Sequence, residues 1–324
     1  MIDVSIIVVA HDSAGDLEAS MPSAVAQRGV SIETIVVDAA SRDASRDVAR
    51  RAAPGARLIA LPENAGFSGA MNAGIEASRG RYVLALNPDC RLEPDFAEKL
   101  VRRLDARPDV GSASGRLLRA EGPRLEPTSR LDSTGIVFTS SGRHFDRGSE
   151  EEAAGRYLEE EEIPGTTGAA GLYRREALET AKISTGYFDA DFFLYREDAD
   201  LAWRLRNLGW KCLYVPDAVG YHRRRNLPER RLEMGALANY HSVKNRFLLR
   251  VNNQTGGELL RTLVPTLARD LVVLGACLTV ERSSLPAFGW LWRNRRRLLA
   301  KRREIRAKAA ARRAGGPGDG RRSG

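Results

Sequence analysis

The stretch RYVLALNPDC, residues 81–90, decides how the first part of this chain folds. Its apolar run does not alternate with polar residues, so it predicts a strand that is buried on both faces of a sheet. Three earlier runs have the same character: VSIIVV (4–9), TIVVD (34–38) and ARLIAL (56–61). Polar, alanine-rich segments of helix length separate and follow these strands, at 15–27, 43–53, 67–79 and 94–106. The alternation predicts an α/β fold with a Rossmann-like, mostly parallel sheet and helices on both faces.

Composition divides the 324-residue chain into parts with different properties. We expect the α/β domain to extend over residues 1–250. Within it, the segment 116–163 is rich in Gly, Ser, Arg and Glu, and predicts a variable, partly mobile insertion whose acidic run Glu159–Glu162 is a solvated face. Residues 251–313 predict a helical, basic extension, and the Gly/Pro/Arg stretch 314–324 predicts a disordered tail.

The positive charge of the chain is concentrated in its last part. The whole chain has a formal net charge of +9. From Arg282 onward there are fourteen Lys and Arg against two acidic residues, so this part carries +12 and residues 1–281 together carry −3. Such a segment attracts the phosphates of nucleic acid or of anionic lipid. Between Leu285 and Arg313, aromatic and leucine side chains mix with the arginines, which is typical of a helix lying in a membrane interface.

Cysteine spacing and the apolar runs argue against several classes of protein. Cys90, Cys212 and Cys277 lie far apart without a CxxC pair, which argues against a disulfide framework or a zinc site. The first apolar run, Val4–Ala10, is too short for a secretory signal and has no basic flank. The uninterrupted run Leu271–Val280 has ten residues, about half of a membrane span. We therefore expect a cytoplasmic protein that is peripheral on the inner face of the cell membrane.

Two carboxylates follow predicted strands at the sheet edge where α/β proteins bind ligands. Asp38 ends TIVVD and either accepts hydrogen bonds from a ribose or a base, or caps the next helix. Asp89 follows Pro88 and suits a Mg²⁺ or Mn²⁺ ion beside a diphosphate, although aspartate is also common in turns. The glycines of 66–74 open a helix without the GxGxxG spacing of dinucleotide-binding proteins. They favour either anion binding or close packing of that helix on the sheet.

The segment YREDADLAWRLRNLG, residues 195–209, predicts a helix with three acids in its first turn. The helix dipole accounts well for Asp200. It accounts less well for Glu197 and Asp198, which follow the apolar stretch FDADFFLY. Apolar surroundings raise the pKa of a carboxylate, as a general base acting near neutral pH requires. His222 ends a strand that we expect to reach the same sheet edge, although a lone histidine is more often structural.

The order of these motifs resembles that of the family 2 glycosyltransferases, which have the GT-A fold. The resemblance covers about residues 3–250, and within the family it is similar to bacterial rhamnosyltransferases and more distantly to galactofuranosyltransferases. It rests on the following segments: VSIIVVAHDS, ETIVVDAASRDAS, NAGFSGAMNAGI, LNPDC, GAAGLYRREAL, FFLYREDADLAWRLRNLGW and VPDAVGYH.

The resemblance implies a role for each matching residue. Asp38 would hold the base or ribose of the nucleotide, and Asp89 would be the last position of the DxD motif, which binds the divalent cation. Asn87 stands where many members have the first acid of that motif, so this chain has one carboxylate fewer. Asp198 would be the catalytic base of an inverting enzyme, with Glu197 beside it. His222 matches a histidine that joins the metal shell in related members.

Other positions in the same motifs are also expected at the donor site. Ala39 replaces an asparagine found in many relatives, which leaves the finer nucleotide contacts open. Together with Asp38, Asn87 and Asp89, the nucleotide-sugar site is expected to include Ala10, Asn64, Gly69, Asn72 and Gly168.

The resemblance implies transfer of a sugar from a nucleotide sugar, with dTDP-L-rhamnose as the leading donor, to a lipid-linked or cell-envelope saccharide. A divalent cation, Mg²⁺ or Mn²⁺, would be the cofactor, and an anionic membrane surface a partner. UDP-galactofuranose and UDP-GlcNAc are alternative donors. A nucleotidyltransferase has a similar sheet, but it would have a Gly/Arg/Lys-rich loop where this chain has AHDSAGD. Nucleic-acid binding would rest on the basic tail alone, and we do not expect it.

Overall fold

A computed structural model describes residues 1–224 and 235–314 of the chain. The tail predicted over 314–324 lies outside these ranges except for Ala314, the last residue of the final helix.

Four parallel strands form the first half of the main sheet, as the sequence predicts. These are β1 (Val4–Ala10), β2 (Ile32–Asp38), β3 (Arg57–Ala60) and β4 (Tyr82–Leu86), in the order β4-β1-β2-β3. The helices between and after them are α1 (Ala14–Val25), α2 (Ser45–Ala52), α3 (Gly66–Ala77) and α4 (Phe96–Ala106). Ala10 of β1 pairs with Asp38 of β2, so the carboxyl ends of the two strands lie side by side.

Later strands complete the sheet and change its direction. Along the chain they are β5 (Cys90–Leu92), β6 (Val110–Glu121), β7 (Glu126–Ser133), β8 (Ile136–Phe138), β9 (His144–Asp146), β10 (Glu161–Ile163), β11 (Ala170–Arg174) and β12 (Lys211–His222). The second half of the sheet has the order β10-β12-β6-β11-β4, with β11 antiparallel to both of its neighbours and β12 parallel to β6. Helix α5 (Arg175–Ala181) follows β11, and α6 (Glu197–Asn207) precedes β12. The prediction of a mostly parallel sheet is confirmed.

The segment 116–163 differs from the expected excursion. It begins inside β6 and contains β7 to β10, of which β7 and β10 pair with strands of the main sheet. Asp132 of β7 is completely buried. The sequence analysis did not recognise these strands because they carry few apolar side chains and many charged and small residues.

Both faces of the sheet are covered by apolar side chains. Ile6 and Val8 point into one buried cluster with Phe96 of α4, whereas Ile7 belongs to the opposite cluster with Met71 of α3. Helix α3 lies close to the sheet, since a Cβ atom on Gly74 would approach Ile7 Cγ2 to 2.4 Å. At this glycine, close packing of the helix is the interpretation that the structure supports.

Three long helices follow the sheet: α7 (Ala236–Asn253), α8 (Gly256–Thr279) and α9 (Pro286–Ala314). The boundary expected at residue 250 falls inside α7. Helix α9 does not lie free as an interfacial helix, because Leu298 and Ile305 are buried and Lys301 Nζ is 2.7 Å from Asp191 Oδ2. Its basic face is therefore partly used in contacts with the α/β domain.

Helix α8 is the most exposed element of the extension. Thr255 and Glu258 form a capping box at its start, and of its 24 residues only Thr266 and Cys277 are buried. By length and composition, α8 is the one helix in the described ranges that could cross a membrane, with a hydropathy of 1.4 over its most apolar window. The apolar run Leu271–Val280 identified in the sequence coincides with the end of this helix, which begins at Gly256.

Candidate active site

Asp38 lies at the carboxyl end of β2 with part of its carboxylate unused. Its Oδ2 accepts hydrogen bonds from Arg46 Nε at 2.9 Å and from the Ser41 N–H at 3.2 Å. Its Oδ1 is buried and has no hydrogen-bond partner among the described residues. Helix α2 begins at Ser45, with Ala44 at the cap position, so Asp38 is not its cap. A buried acceptor without a donor is costly unless a ligand supplies one.

A cavity of about 580 Å³ opens at the carboxyl ends of β1, β2 and β3; its lining includes Ala40, two residues after Asp38, but not Asp38 itself. Its lining includes His11, Asn64 and Arg42. The His11 ring is held from two sides, with Nδ1 at 2.8 Å from Ala39 O and Nε2 at 3.1 Å from Asn64 Nδ2. The sequence prediction included Asn64 but missed His11. The signal was available, because His11 directly follows the first strand at the ligand edge.

Asp89 and His222 lie in contact, as the sequence predicted from the shared sheet edge. Strand β12 pairs antiparallel with β5, which sets His222 opposite Cys90. His222 Nε2 is 3.2 Å from Asp89 Oδ1, and Nδ1 is 2.7 Å from Oδ2 of the buried Asp132. Asp132 therefore fixes which ring nitrogen faces Asp89.

The charge of this histidine is set by its two carboxylate partners. Burial lowers the pKa of His222, but the charges of Asp132 and Asp89 and their hydrogen bonds outweigh burial and raise it to about 10. For Asp132 the effects have the opposite signs. Burial raises its pKa, yet the positive charges of His222 and Arg224 hold that pKa well below its usual range. The two carboxylates thus favour the protonated form of the His222 ring, and a cation bound at Nε2 would take the place of that proton.

Asp132 extends this cluster toward the rest of the site. Arg224 Nε donates to Asp132 Oδ1 at 3.0 Å, and Arg224 Nη1 donates to Asp146. The sequence prediction missed both acids because they lie in 116–163, where nothing in the local pattern distinguishes them from surface residues.

Asp198 lies in the first turn of α6 and is tied to the end of β4 by a short chain of hydrogen bonds. The Asn87 N–H donates to Ala169 O at 2.8 Å, and the neighbouring Gly168 N–H donates to Asp198 Oδ2 at 3.0 Å. A Cβ atom at Gly168 would itself lie 3.0 Å from Asp198 Oδ2. The structure therefore places Gly168 against Asp198, whereas the sequence prediction placed it at the donor.

In the Glu197–Asp198 pair, Glu197 is buried and Asp198 is half-buried, and both carboxyl groups are hard to ionise. Burial and the charge of Asp198 raise the pKa of Glu197 to about 8. Burial and the charge of Asp146 raise the pKa of Asp198 to about 6, against hydrogen bonds from the N–H groups of Ala199 and Gly168 that lower it. Glu197 Oε2 has no hydrogen-bond partner in the described part of the chain. Asp198 is thus the acid of the pair that is ionised near neutral pH.

Three residues predicted at the donor site have other surroundings. The Ala10 side chain is buried in the core, and its carbonyl accepts the Ala39 N–H at 2.8 Å. The Asn72 amide bridges α3 to a later loop, donating to Phe188 O at 2.7 Å and accepting from the Phe188 N–H at 2.9 Å. Gly69 lies in α3, where an added Cβ would meet the Ala65 Cβ at 2.7 Å. Each of these three residues therefore makes contacts within the fold.

The donor atoms at Asp89 and His222 fit a divalent cation that takes its other ligands from elsewhere. In residues 1–224 and 235–314 no group of three or more His, Cys, Asp or Glu side chains could hold a metal ion. One carboxylate and one imidazole suit Mn²⁺ or Mg²⁺ only if phosphate oxygens and water complete the shell. The buried Cys90 thiol is not a candidate ligand, because burial raises its pKa well above the usual value.

Comparison with known proteins agrees with this architecture. Residues 5–181 match the glycosyl transferase family 2. The succinoglycan biosynthesis protein ExoO of Rhizobium meliloti (strain 1021) is 42% identical over 154 residues, 43% of this chain and 44% of that protein. The N-acetylglucosaminyl-diphospho-decaprenol L-rhamnosyltransferase of Mycobacterium tuberculosis (strain ATCC 25618 / H37Rv) is 27% identical over 235 residues, 67% of this chain and 75% of that enzyme.

Solved structures show the same fold. A crystal structure of GalNAc-T7 with UDP, GalNAc and Mn²⁺ superposes with a TM-score of 0.60 at 13% identity, covering 78% of this chain and 48% of that one. Such a likeness confirms the GT-A fold predicted from the sequence. The family match, which covers more than half of the chain, establishes that this protein belongs to glycosyltransferase family 2.

Proposed function

We propose that the protein transfers L-rhamnose from dTDP-L-rhamnose to a lipid-linked saccharide, with inversion at the anomeric carbon. The observation that carries the transfer chemistry is the contact between Asp89 and His222 at the sheet edge where β2 also ends at Asp38, with Asp198 tied to the end of β4 through Gly168 and Ala169. The choice of rhamnose and of a lipid-linked acceptor is supported by the mycobacterial relative, whose name specifies both.

Asp38 would bind the nucleoside. Its unpartnered Oδ1 is an acceptor for a base N–H or a ribose hydroxyl, while Arg46 and Ser41 hold the other oxygen. The fixed His11 ring offers a flat surface beside it. Strands β2 and β4 are separated only by β1, so Asp38 and the end of β4 lie about 10 Å apart across the sheet, the span from a nucleoside to its diphosphate.

Asp89 and His222 would hold the divalent cation, with Asp132 keeping His222 Nε2 turned toward Asp89. A bound cation supplies Lewis-acid stabilisation of the diphosphate as its bond to the sugar breaks. Because Asn87 is neutral, the protein contributes one carboxylate to the site through NPD, and His222 replaces the missing ligand.

Asp198 would be the general base. Its carboxylate removes the proton from the acceptor hydroxyl, whose oxygen then bonds to the anomeric carbon on the face opposite the departing diphosphate. The Gly168 N–H holds Oδ2, so the side chain is oriented before substrate arrives. Glu197, with its higher pKa, stays protonated beside it, so the pair carries a single negative charge.

Helix α8 would bring the enzyme to a membrane where a lipid-linked acceptor lies. Its apolar stripe consists of residues at helical spacing, each more than half exposed: Leu260, Val264, Leu267, Leu271 and Leu278. An exposed apolar surface of this length marks an interaction site. The start of α9 adds Trp292, which is exposed and has Arg295 stacked 4.2 Å from its ring, a pairing suited to anionic headgroups.

A panel of dTDP-, UDP- and GDP-sugars, with Mn²⁺, Mg²⁺ or EDTA, tests the donor and the cation together. We expect turnover with dTDP-L-rhamnose, dependent on the cation and lost in Asp89→Ala. Asp109→Asn serves as the control, because it changes an exposed carboxylate at the start of β6, at the opposite edge of the sheet. Turnover with UDP-galactofuranose or UDP-GlcNAc instead would overturn the rhamnose assignment. Full activity in EDTA would overturn the cation.

A further inference from the structure

The loop that leads into Glu197 and Asp198 has a strained backbone. Phe193 has φ 65° and ψ −63°, and the Leu194 N–H donates to Phe192 O at 2.7 Å, which closes a γ-turn with positive φ around Phe193. Tyr195 and Arg196 also have positive φ values, 66° and 71°. Residues with a side chain disfavour this region, so three of them within four positions must be held by outside contacts.

The carbonyl groups of this loop show where those contacts come from. Asn245 Nδ2 of α7 lies within hydrogen-bond distance of three of them, Phe192 O at 2.8 Å, Leu194 O at 2.7 Å and Tyr195 O at 2.8 Å, so its two hydrogens are shared among three acceptors. The fourth, Phe193 O, accepts the Ser68 N–H of α3 at 3.2 Å. Every carbonyl from 192 to 195 therefore has a donor, and one amide group supplies three of the four.

Asn245 is suited to this contact by its burial and its orientation. Its exposed fraction is 0%, so water does not compete for the carbonyls. Its own Oδ1 has no partner in the described ranges, and the reversed amide would place that oxygen against three carbonyl oxygens. One turn earlier, the His241 ring stacks on Phe193 with ring centres 4.9 Å apart and planes at 17°. Helix α7 therefore contacts the backbone of the loop through Asn245 and the Phe193 side chain through His241.

We propose that Asn245 is a positioning residue for the catalytic base: it fixes the 192–195 backbone so that the first turn of α6 presents Asp198 to the acceptor. The inference rests on the proposed role of Asp198. It assigns to the C-terminal helices a part in sugar transfer, separate from any contact with a membrane. The loop acts on Asp198 through the backbone, because Arg196 connects the loop directly to Glu197, the first residue of α6.

The test compares Asn245→Ala and Asn245→Asp with Val243→Ala in the full-length protein. Aspartate keeps the size of the side chain but replaces the donor with an acceptor, so it should be at least as damaging as alanine. Val243 is equally buried two residues earlier, yet it packs against Cys277 and Ala287, away from the loop. It therefore reports the general cost of weakening α7.

We expect Asn245→Ala to lower kcat at least tenfold while the KM for the donor and the Kd for the nucleoside diphosphate stay within twofold. Amide hydrogen exchange in a peptide covering 192–198 should quicken at least tenfold, and Val243→Ala should leave both kcat and this exchange within twofold. Measurements are compared at temperatures where each variant is fully folded by circular dichroism.

Other outcomes would overturn the proposal in distinguishable ways. If exchange quickens but kcat is unchanged, the contact is structural and does not position the base. If exchange in 192–198 is unchanged, Asn245 does not hold the loop at all. Asp198→Asn is measured in parallel: if it retains kcat, the assignment of the base fails, while the exchange result still decides whether Asn245 holds the loop.

Discussion

The proposed donor half and the proposed acceptor half of the candidate active site are built in different ways. Asp38 and Asp89 follow parallel strands and are carried to the ligand edge by the sheet itself. Asp198 follows a strained loop that is held by hydrogen bonds from Asn245 in a helix of the C-terminal extension. The family match, residues 5–181, covers the first half and ends before the base.

This difference predicts which changes should displace the residues of each half. A residue at the end of a buried strand keeps its position as long as the sheet is intact, because the backbone ladder determines it. A residue after a strained loop keeps its position only as long as particular side chains remain. Changes on the acceptor side should therefore lower turnover without loss of donor binding, and changes on the donor side should lower both.

The largest effect that separates the two halves is expected for Asp198→Asn. Removing the general base should lower kcat by about 10³-fold, because positioned proton transfer typically contributes 10²- to 10⁴-fold. Binding of the nucleoside diphosphate, followed by isothermal titration calorimetry with Mn²⁺, should change by less than twofold. A kcat within tenfold of the wild-type value would show that another group takes the proton.

On the donor side, Asp132→Asn should lower the affinity of the proposed cation site by changing the partner of His222. The amide keeps the shape of the side chain but removes the charge that orients His222, and loss of such outer partners typically costs about 10- to 100-fold in metal affinity. The measurement is the Mn²⁺ concentration needed for half-maximal nucleotide binding. Asp95→Asn, which removes an exposed partner of Lys99, is the matched control. An unchanged Mn²⁺ requirement would mean that His222 is not a ligand.

The pH dependence of kcat should report the acceptor half alone. Asp198 acts as a carboxylate, and its pKa is raised to about 6, so kcat should be constant between this pH and the pKa of Glu197, about 8, and fall about tenfold for each unit below pH 6. In Asp146→Asn, loss of a neighbouring negative charge lowers the pKa of Asp198, and the acid limb should move to lower pH. If the limb keeps its position in this variant, Asp198 is not the group that titrates.

The smallest effect on turnover is expected for a change in the apolar stripe of α8. The double variant Leu260→Glu/Leu271→Glu should keep its activity on a water-soluble acceptor within twofold, because both side chains point away from the site into solvent. Cosedimentation with vesicles containing anionic lipid should fall at least about tenfold, since apolar burial and charge attraction are both reduced.

Ala268→Glu/Thr279→Glu adds the same two charges beside the stripe and should retain more vesicle binding than the leucine variant. If both double variants lose binding equally, charge alone holds the protein to the vesicle. If neither loses it, α8 is not the membrane surface. A dimer that dissociates only in the leucine variant would instead assign the stripe to a second copy of the chain.

The donor half could be predicted from the sequence because strand ends are local features. The unbroken apolar runs located β1, β2 and β4, and parallel topology then placed Asp38 and Asp89 at one edge. The same argument brought His222 to that edge, and its contact with Asp89 confirms the predicted proximity. The roles of these residues stay proposals.

The remainder depends on contacts between distant segments, which leave no local pattern. Asp132 lies in a polar stretch that resembles a surface loop, yet it is fully buried through pairing of β7 with β6. Asn245 is one of several polar residues in α7, and nothing in its neighbours shows that it faces three carbonyls. For Ala10, Asn72 and Gly168, motif position suggested contact with the donor, whereas packing gives each of them an internal partner.

The dependence of the loop on Asn245 also has a consequence for the order of events during synthesis. Domains fold as the chain emerges, with the N-terminal part first. Strands β1 to β4 and the cavity at the ends of β1 to β3 lie within the first part of the chain, whereas the carbonyls of Leu194 and Tyr195 gain the Asn245 amide as a donor only when α7 has left the ribosome and docked. If the proposed roles of Asp38 and Asn245 hold, a nascent chain acquires its donor site first, and transfer begins only once α7 is in place.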